Sequence, residues 1–203
     1  MKQWQTPDTP AFNDAFTREF LDKDAETPEG FHLFRSGTGY YTILFPENYV
    51  LVEESYYRKR GVSSTEHPDT ENVYMHQDGV SPKENKLIKG IKLFLKPDGN
   101  VIVDTRIRSM LRKINAPADT EVKTFKDNNK TVYCAENVDE YKEGDASTDK
   151  TFYFYGFIVH NVSKQALYFN LEHTCFDSHN RCPIDFEKEK KMALQMMKSV
   201  EFQ

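Results

Sequence analysis

The stretch from Thr151 to Cys175 constrains the fold of this chain more than any other. In Thr151–His160 both faces are aromatic or aliphatic, because successive residues of a strand point to opposite sides. After the turn residues at 161–164, the segment Ala166–Cys175 alternates between an apolar and a more polar face. The pattern predicts a central hairpin over residues 151–175 whose first strand is covered on both sides. The apolar face of the second strand is predicted to carry Leu167, Phe169, Leu171 and His173.

Three other segments change to a helical period and predict an N-terminal helix over 10–24, a middle helix over 104–115 and a C-terminal helix over 185–198. Asp185 is the predicted N-cap of the last one. The predicted apolar faces carry, in chain order, Phe12, Phe16 and Phe20; then Ile107, Met110 or Leu111, and Ile114; then Phe186, Ala193, Met196, Met197 and Val200.

Shorter alternating segments supply further strands. Tyr40–Phe45 and Tyr49–Arg60, separated by a proline-containing turn, are predicted to form a hairpin. Residues 1–9 are predicted to form a polar, flexible leader, and residues 10–203 are long enough for one domain with a proper core. Together these patterns predict an α+β fold, a single α/β/α sandwich domain in which helices flank a central antiparallel sheet.

Charge and hydropathy exclude some classes of protein. A net charge of −5 argues against a nucleic-acid-binding protein that works by counter-ion release. The sequence has no apolar run long enough for a membrane span. It opens directly into polar residues with no signal peptide, so the protein is either cytosolic or begins after a removed export signal.

The cysteines leave two alternatives open. Cys175 and Cys182 bound a short polar loop, and a disulfide between them would add about 2.5 kcal/mol on the loop-closure model. Such a bond implies an oxidising compartment, whereas two reduced thiols are the alternative. Cys134 stands alone in a strand-like segment and is most simply a small core residue.

Histidine, cysteine and aspartate residues, which can bind metal ions, are clustered in one segment only, at 173–182. Zn²⁺ accepts histidine, cysteine and aspartate ligands in a tetrahedral arrangement. The usual paired spacing of zinc ligands is missing there, however, and a thiol nucleophile at Cys134 lacks any motif that supplies a histidine base such as His160 or His173. We therefore predict no catalytic residue, cofactor or metal. The ligand-type cluster consists of His173, Cys175, Asp177, His179 and Cys182.

Two groups of charged residues on the predicted helices have contrasting interpretations. A basic cluster on the middle helix is either a solvated face or a site for an acidic partner or phosphate. The partner that we expect for this chain is a protein. Glu187 and Glu189 on the C-terminal helix are predicted to be exposed. The basic cluster consists of Arg106, Arg108, Arg112 and Lys113.

Three features resemble the PsbP-like family. They are a tyrosine-rich strand that ends in a proline (Tyr40–Pro46), the strand pair YFYGFIVH and ALYFNLEHTC, and the ending KKMALQMMKSVEF. In that ending the final helix of the family runs into a Ser-Val-x-Phe strand. The family includes a subunit of the oxygen-evolving complex, a yeast Ran-binding protein and small bacterial exported proteins. The resemblance implies an α/β/α sandwich that works by binding, and it assigns no functional residue.

These observations lead to three hypotheses. The first is a non-catalytic binding or assembly protein of the bacterial cell envelope, a lipoprotein whose signal has been removed and whose only membrane contact is a lipid anchor. The second is a cytosolic adaptor that binds a protein partner. The third is a metal-dependent or thiol enzyme centred on His173–Cys182. The first is preferred on four grounds: the family resemblance, the candidate bond between Cys175 and Cys182, the polar leader that fits a removed signal, and the lack of a catalytic motif.

Overall fold

The computed structural model describes residues 7–59, 70–96, 99–143, 147–176 and 182–203, and it confirms the predicted α+β class. The strands in this part of the chain are β1 (Leu21–Asp22), β2 (Phe31–Arg35), β3 (Tyr41–Pro46), β4 (Tyr49–Leu51), β5 (Tyr57–Lys59), β6 (Thr70–Gln77), β7 (Leu87–Lys96), β8 (Lys123–Lys126), β9 (Lys130–Glu143), β10 (Ser147–His160), β11 (Ala166–Cys175) and β12 (Glu201–Phe202). The helices there are α1 (Pro10–Asn13), α2 (Ala15–Arg18), α3 (Pro82–Asn85), α4 (Val103–Lys113) and α5 (Phe186–Ser199), with one 3₁₀ turn at Glu53–Ser55.

The described strands form two antiparallel sheets. The large sheet has the order β4-β6-β7-β11-β10-β9-β8, and β5 also pairs with β6. At its centre β10 and β11 form the hairpin expected over residues 151–175, in the register Phe154 opposite Leu171. The small sheet has the order β1-β2-β3-β12.

The predicted hairpin between Tyr40–Phe45 and Tyr49–Arg60 is wrong, because β3 and β4 belong to different sheets. β3 pairs with β2 and β12, whereas β4 pairs with β6, with Tyr49 opposite Gln77. Every residue of β3 is buried, so this strand lies between layers. The chain therefore crosses from one sheet to the other at Glu47 and Asn48.

The two faces of β10 are covered by different helices, as the double apolar pattern predicted. Phe154 and Ile158 belong to the core that includes α5 and the small sheet. Tyr155, Phe157 and Val159 pack instead with α4, on the opposite side of the large sheet. Complete burial of a Phe or Ile side chain contributes about 1.5–3 kcal/mol, so β10 serves two cores at once.

The predicted N-terminal helix over 10–24 is wrong in its length. Asp14 adopts an extended conformation (φ −73°, ψ 124°) and its carboxylate accepts a hydrogen bond from the Thr17 amide at 2.7 Å, which starts a second helical turn. The result is two single turns, α1 and α2, followed by β1. The predicted phenylalanine stripe still docks on the domain, since the Phe20 ring stacks on Phe34 with centroids 5.6 Å apart.

The other two helices lie close to their expected bounds. α4 spans Val103–Lys113 and buries Met110 and Leu111. α5 spans Phe186–Ser199, and the Asp185 carboxylate accepts a hydrogen bond from the Lys188 amide at 3.1 Å, as expected of an N-cap. After α5 the chain enters β12, which pairs with Tyr41 and Thr42 of β3. None of the helices in the described ranges is long and apolar enough to cross a membrane.

Candidate functional site

The candidate site is a solvent-open cleft of about 550 Å³ between α5 and the turns at one end of the small sheet, which we call the α5 cleft. Its volume lies within the range of about 300–1,000 Å³ that is usual for small-molecule sites. The lining residues are Glu29, Gly30, Phe31, Pro46, Glu47, Asn48, Tyr49, Gln77, Lys89, Lys188, Glu189, Lys191, Met192 and Gln195.

The two walls of the α5 cleft come from distant parts of the sequence. One wall is α5 itself, whose residues 188, 191, 192 and 195 recur at helical spacing. The other is built from the turns at 29–31 and 46–48, which are held together where the Glu47 amide donates a hydrogen bond to the Gly30 carbonyl at 3.0 Å. The second wall therefore depends on the pairing of β2 with β3, in which Phe31 lies opposite Pro46.

A buried polar group of Tyr49, Lys89, His173 and Glu189 underlies the α5 cleft, and we call it the polar floor. Lys89 and Glu189 form an ion pair, and their side chains are only 13% and 9% exposed. The His173 ring is fully buried, with Nδ1 3.8 Å from Glu189 Oε2 and Nε2 3.4 Å from the Tyr49 hydroxyl oxygen. Among the side chains that the structure describes, His173 Nδ1 has no hydrogen-bond partner.

The electrostatics of the polar floor keep His173 neutral. Burial, with a smaller contribution from the nearby Lys89 charge, lowers the pKa of His173 to about 3. Its contact with Glu189 is therefore not an ion pair near neutral pH. Burial and the Glu189 carboxylate raise the pKa of Tyr49, so the phenol keeps its proton. A proton on Nδ1 would face the Glu189 carboxylate, which leaves Nε2 to accept from the Tyr49 hydroxyl.

The sequence analysis placed one residue of the polar floor, His173, correctly and another, Glu189, wrongly. The alternation of β11 placed His173 on the apolar face with Leu171, and the structure buries both residues. The prediction that Glu189 is exposed was wrong, whereas its neighbour Glu187 is 69% exposed. Glu189 precedes Ala193 by four residues on the buried side of α5, so helical spacing is the signal that could have identified Glu189 as buried.

The predicted basic cluster lies on α4, which covers the opposite face of the large sheet from α5. Arg106 and Lys113 line a cavity of about 40 Å³, and the Arg106 guanidinium lies 5.7 Å from the centre of the Tyr168 ring. Arg108 and Arg112 are exposed, one turn apart. The structure thus divides the four residues into two pairs, and their role in binding a partner stays a prediction.

The structure joins Cys175 to Cys182 by a disulfide, with Cα atoms 5.6 Å apart. The Cys175 side chain is buried beside Leu87 and Phe152. Sulfur atoms bonded to each other are not thiolates, so they do not serve as the zinc ligands of the metal hypothesis.

The remaining parts of the metal hypothesis gain no support. Asp177 and His179 lie outside the described residues. His173 is enclosed in the polar floor. Across the residues that the structure does describe, no three His, Cys, Asp or Glu side chains form a group able to hold a metal ion.

Cys134 does not have the environment of a catalytic thiol. Its side chain is fully buried, and burial raises its pKa to about 11, so the thiol is protonated near neutral pH. The two histidines that were considered as its base have other partners. His160 Nδ1 lies 2.7 Å from the Ser163 hydroxyl, and the His173 ring contacts Tyr49.

Comparison with known proteins identifies a family for nearly the whole chain. The family model YvcA_Mog1p, described as "Putative lipoprotein YvcA", matches residues 7–201. No curated protein is significantly similar in sequence. The matched range includes both walls of the α5 cleft and all four residues of the polar floor.

Proposed function

Because the chain belongs to the YvcA_Mog1p family, whose description names a lipoprotein, we propose that it is a non-catalytic binding protein of the bacterial cell envelope. In this proposal a lipid anchor holds the protein at the membrane, and the α5 cleft holds its ligand. The layer order of α4, large sheet and α5, with β12 paired to β3 after the last helix, supports assignment of the fold to the PsbP-like group.

The observation that carries the proposal is the pairing of groups within the polar floor. Lys89 forms an ion pair with Glu189, and His173 has a pKa of about 3 and no exposed surface. General acid–base catalysis works best with a group whose pKa lies near the operating pH and that reaches the substrate. The polar floor offers no such group, whereas the cleft above it has the volume of a ligand site.

The disulfide supports a location outside the cytoplasm. Bonds of this kind persist in oxidising compartments and are rare in the cytosol, where thiols are kept reduced. A bond between Cys175 and Cys182 agrees with the lipoprotein family, and it favours the envelope hypothesis over the cytosolic adaptor.

The proposal is tested on the natural protein, isolated from its own cells after separation of membrane and soluble fractions. Intact mass is measured after alkylation under denaturing conditions, with and without prior reduction. We expect the protein in the membrane fraction, a mass increased by acyl chains, and one alkylated thiol that rises to three only after reduction. A cytosolic protein without acyl chains, whose three cysteines all react without reductant, would overturn the envelope proposal and favour the adaptor hypothesis instead.

A further inference from the structure

We propose that the ligand of the α5 cleft is a short peptide with a free amino terminus and a free carboxyl terminus. This inference rests on the proposed binding function and adds the chemical class of the ligand. It follows from the distribution of charge, amide groups and apolar surface over the lining residues.

The charges of the lining balance and are separated in space. Three acidic residues and three basic residues line the α5 cleft, and Lys89 and Glu189 neutralise each other in the polar floor. The other basic residues, Lys188 and Lys191, lie on the α5 wall. The other acidic residues, Glu29 and Glu47, lie on the wall of turns. Within the described part of the chain, none of these four side chains takes part in an ion pair.

A basic wall that faces an acidic wall selects a ligand with two opposite charges. A ligand carboxylate fits Lys188 and Lys191, and a ligand ammonium group fits Glu29 and Glu47. A phosphate or another purely anionic ligand would meet the repulsion of the acidic wall. A purely cationic ligand would be repelled by the basic wall.

The remaining lining groups suit the body of a peptide. The side-chain amides of Asn48, Gln77 and Gln195 each donate and accept hydrogen bonds, which matches the N–H and C=O groups of a peptide bond. Phe31 and Met192 offer apolar surface for ligand side chains. A single amino acid carries both charges on one carbon atom and leaves most of a cleft of about 550 Å³ unfilled. The lining therefore favours a peptide of a few residues.

The test uses a synthetic pool of random tripeptides with free ends, together with three matched pools that are N-acetylated, C-amidated or blocked at both ends. Each pool is incubated with the protein, and retained peptides are quantified by mass spectrometry after ultrafiltration. We expect retention of the free-ended pool, with a loss of about tenfold when either end is blocked, because one charge-assisted contact is removed each time.

Charge reversal of one wall makes the test specific for the α5 cleft. The variant Lys188→Glu/Lys191→Glu should lose the free-ended pool and retain the C-amidated pool better than wild type does. The control Lys83→Glu/Lys126→Glu changes the net charge equally, and it should behave like wild type. All four side chains are exposed, so both variants should fold, which circular dichroism checks.

The outcomes separate this inference from the proposed function. Equal retention of all four pools, or equal behaviour of the two double variants, would overturn the peptide ligand. In that case an acylated, disulfide-bonded protein in the membrane fraction would still support the envelope function. Conversely, end-dependent retention by a protein shown to be cytosolic with free thiols would keep the peptide ligand and overturn the envelope function.

Discussion

The His173 ring on β11 lies with its Nδ1 atom 3.8 Å from the Glu189 Oε2 atom on α5. This contact, together with the ion pair between Lys89 and Glu189, connects the centre of the large sheet to the helix that forms one wall of the α5 cleft. The geometry of the candidate ligand site and the stability of the core therefore depend on the same four residues of the polar floor.

The first prediction concerns the ion pair in the polar floor. Glu189→Ala should lower the free energy of unfolding by about 3 kcal/mol, because it leaves the mostly buried Lys89 without its partner. The double variant Lys89→Met/Glu189→Leu should recover most of that loss, since buried ion pairs are often replaced by apolar residues at little cost. Urea unfolding measures both values. A double variant no more stable than Glu189→Ala would contradict this account.

The second prediction is a pH dependence that originates at His173. Burial lowers its pKa from 6.5 to about 3, so between these values the unfolded chain binds a proton that the folded protein does not. The contribution of neutral His173 to the free energy of unfolding is fully present above pH 6.5 and is lost as the pH falls toward 3. Between these two pH values the free energy of unfolding falls by about 1.4 kcal/mol per pH unit. Relative to wild type, His173→Gln should therefore become more stable as the pH falls. Urea unfolding at about pH 7 and about pH 4.5 checks this, and a constant difference between the two proteins would refute it.

The third prediction concerns Glu71, a fully buried carboxylate on β6. It accepts hydrogen bonds from the Ser36 hydroxyl at 2.7 Å, the Gly37 amide at 2.7 Å and the Tyr56 hydroxyl at 2.8 Å. Glu71→Ala leaves these donors without an acceptor and should lower the free energy of unfolding by about 3 kcal/mol or more.

Two comparison variants test the role of Glu71. Tyr56→Phe removes one donor and should cost about 1–2 kcal/mol. The matched control Glu26→Ala removes an exposed carboxylate and should change stability by less than about 0.5 kcal/mol. Urea unfolding of all three variants gives the ranking, and an equal loss for Glu71→Ala and Glu26→Ala would refute the argument.

The fourth prediction concerns Gly156 on β10, where α5 approaches the sheet. A Cβ atom there would lie 2.2 Å from Met197 Cε and 2.5 Å from the Tyr133 carbonyl oxygen. Gly156→Ala should lower the free energy of unfolding by about 3 kcal/mol, because a backbone oxygen cannot move away as a side chain does. The double variant Gly156→Ala/Met197→Ala should lose less free energy of unfolding than the two single variants lose together, since the clash with Met197 has gone. Strict additivity in thermal unfolding would show that the Met197 contact contributes nothing to the loss.

Much of the fold follows from short-range patterns. Alternation predicted the strands β10 and β11 and the faces of Phe154 and His173, because side-chain direction in a strand repeats every two residues. The helical period predicted α4 and the buried Met196 of α5 for the same local reason. The prediction of one helix over 10–24 was wrong because a different local structure forms there. The Asp14 side chain caps a new helical turn and so interrupts the helix.

By itself, then, the sequence determined the α+β class, the central hairpin, the C-terminal helix and the spacing of Cys175 and Cys182, all of which depend on residues close together along the chain. Tertiary structure alone decided that β4 leaves β3 for the large sheet and that Glu189 is buried against Lys89. It also brought Glu29 and Glu47 of the turns into one cleft with Lys188 and Lys191 of α5. These contacts join residues far apart in sequence, and their free energy comes from burial and pairing in the assembled core, which no local pattern records.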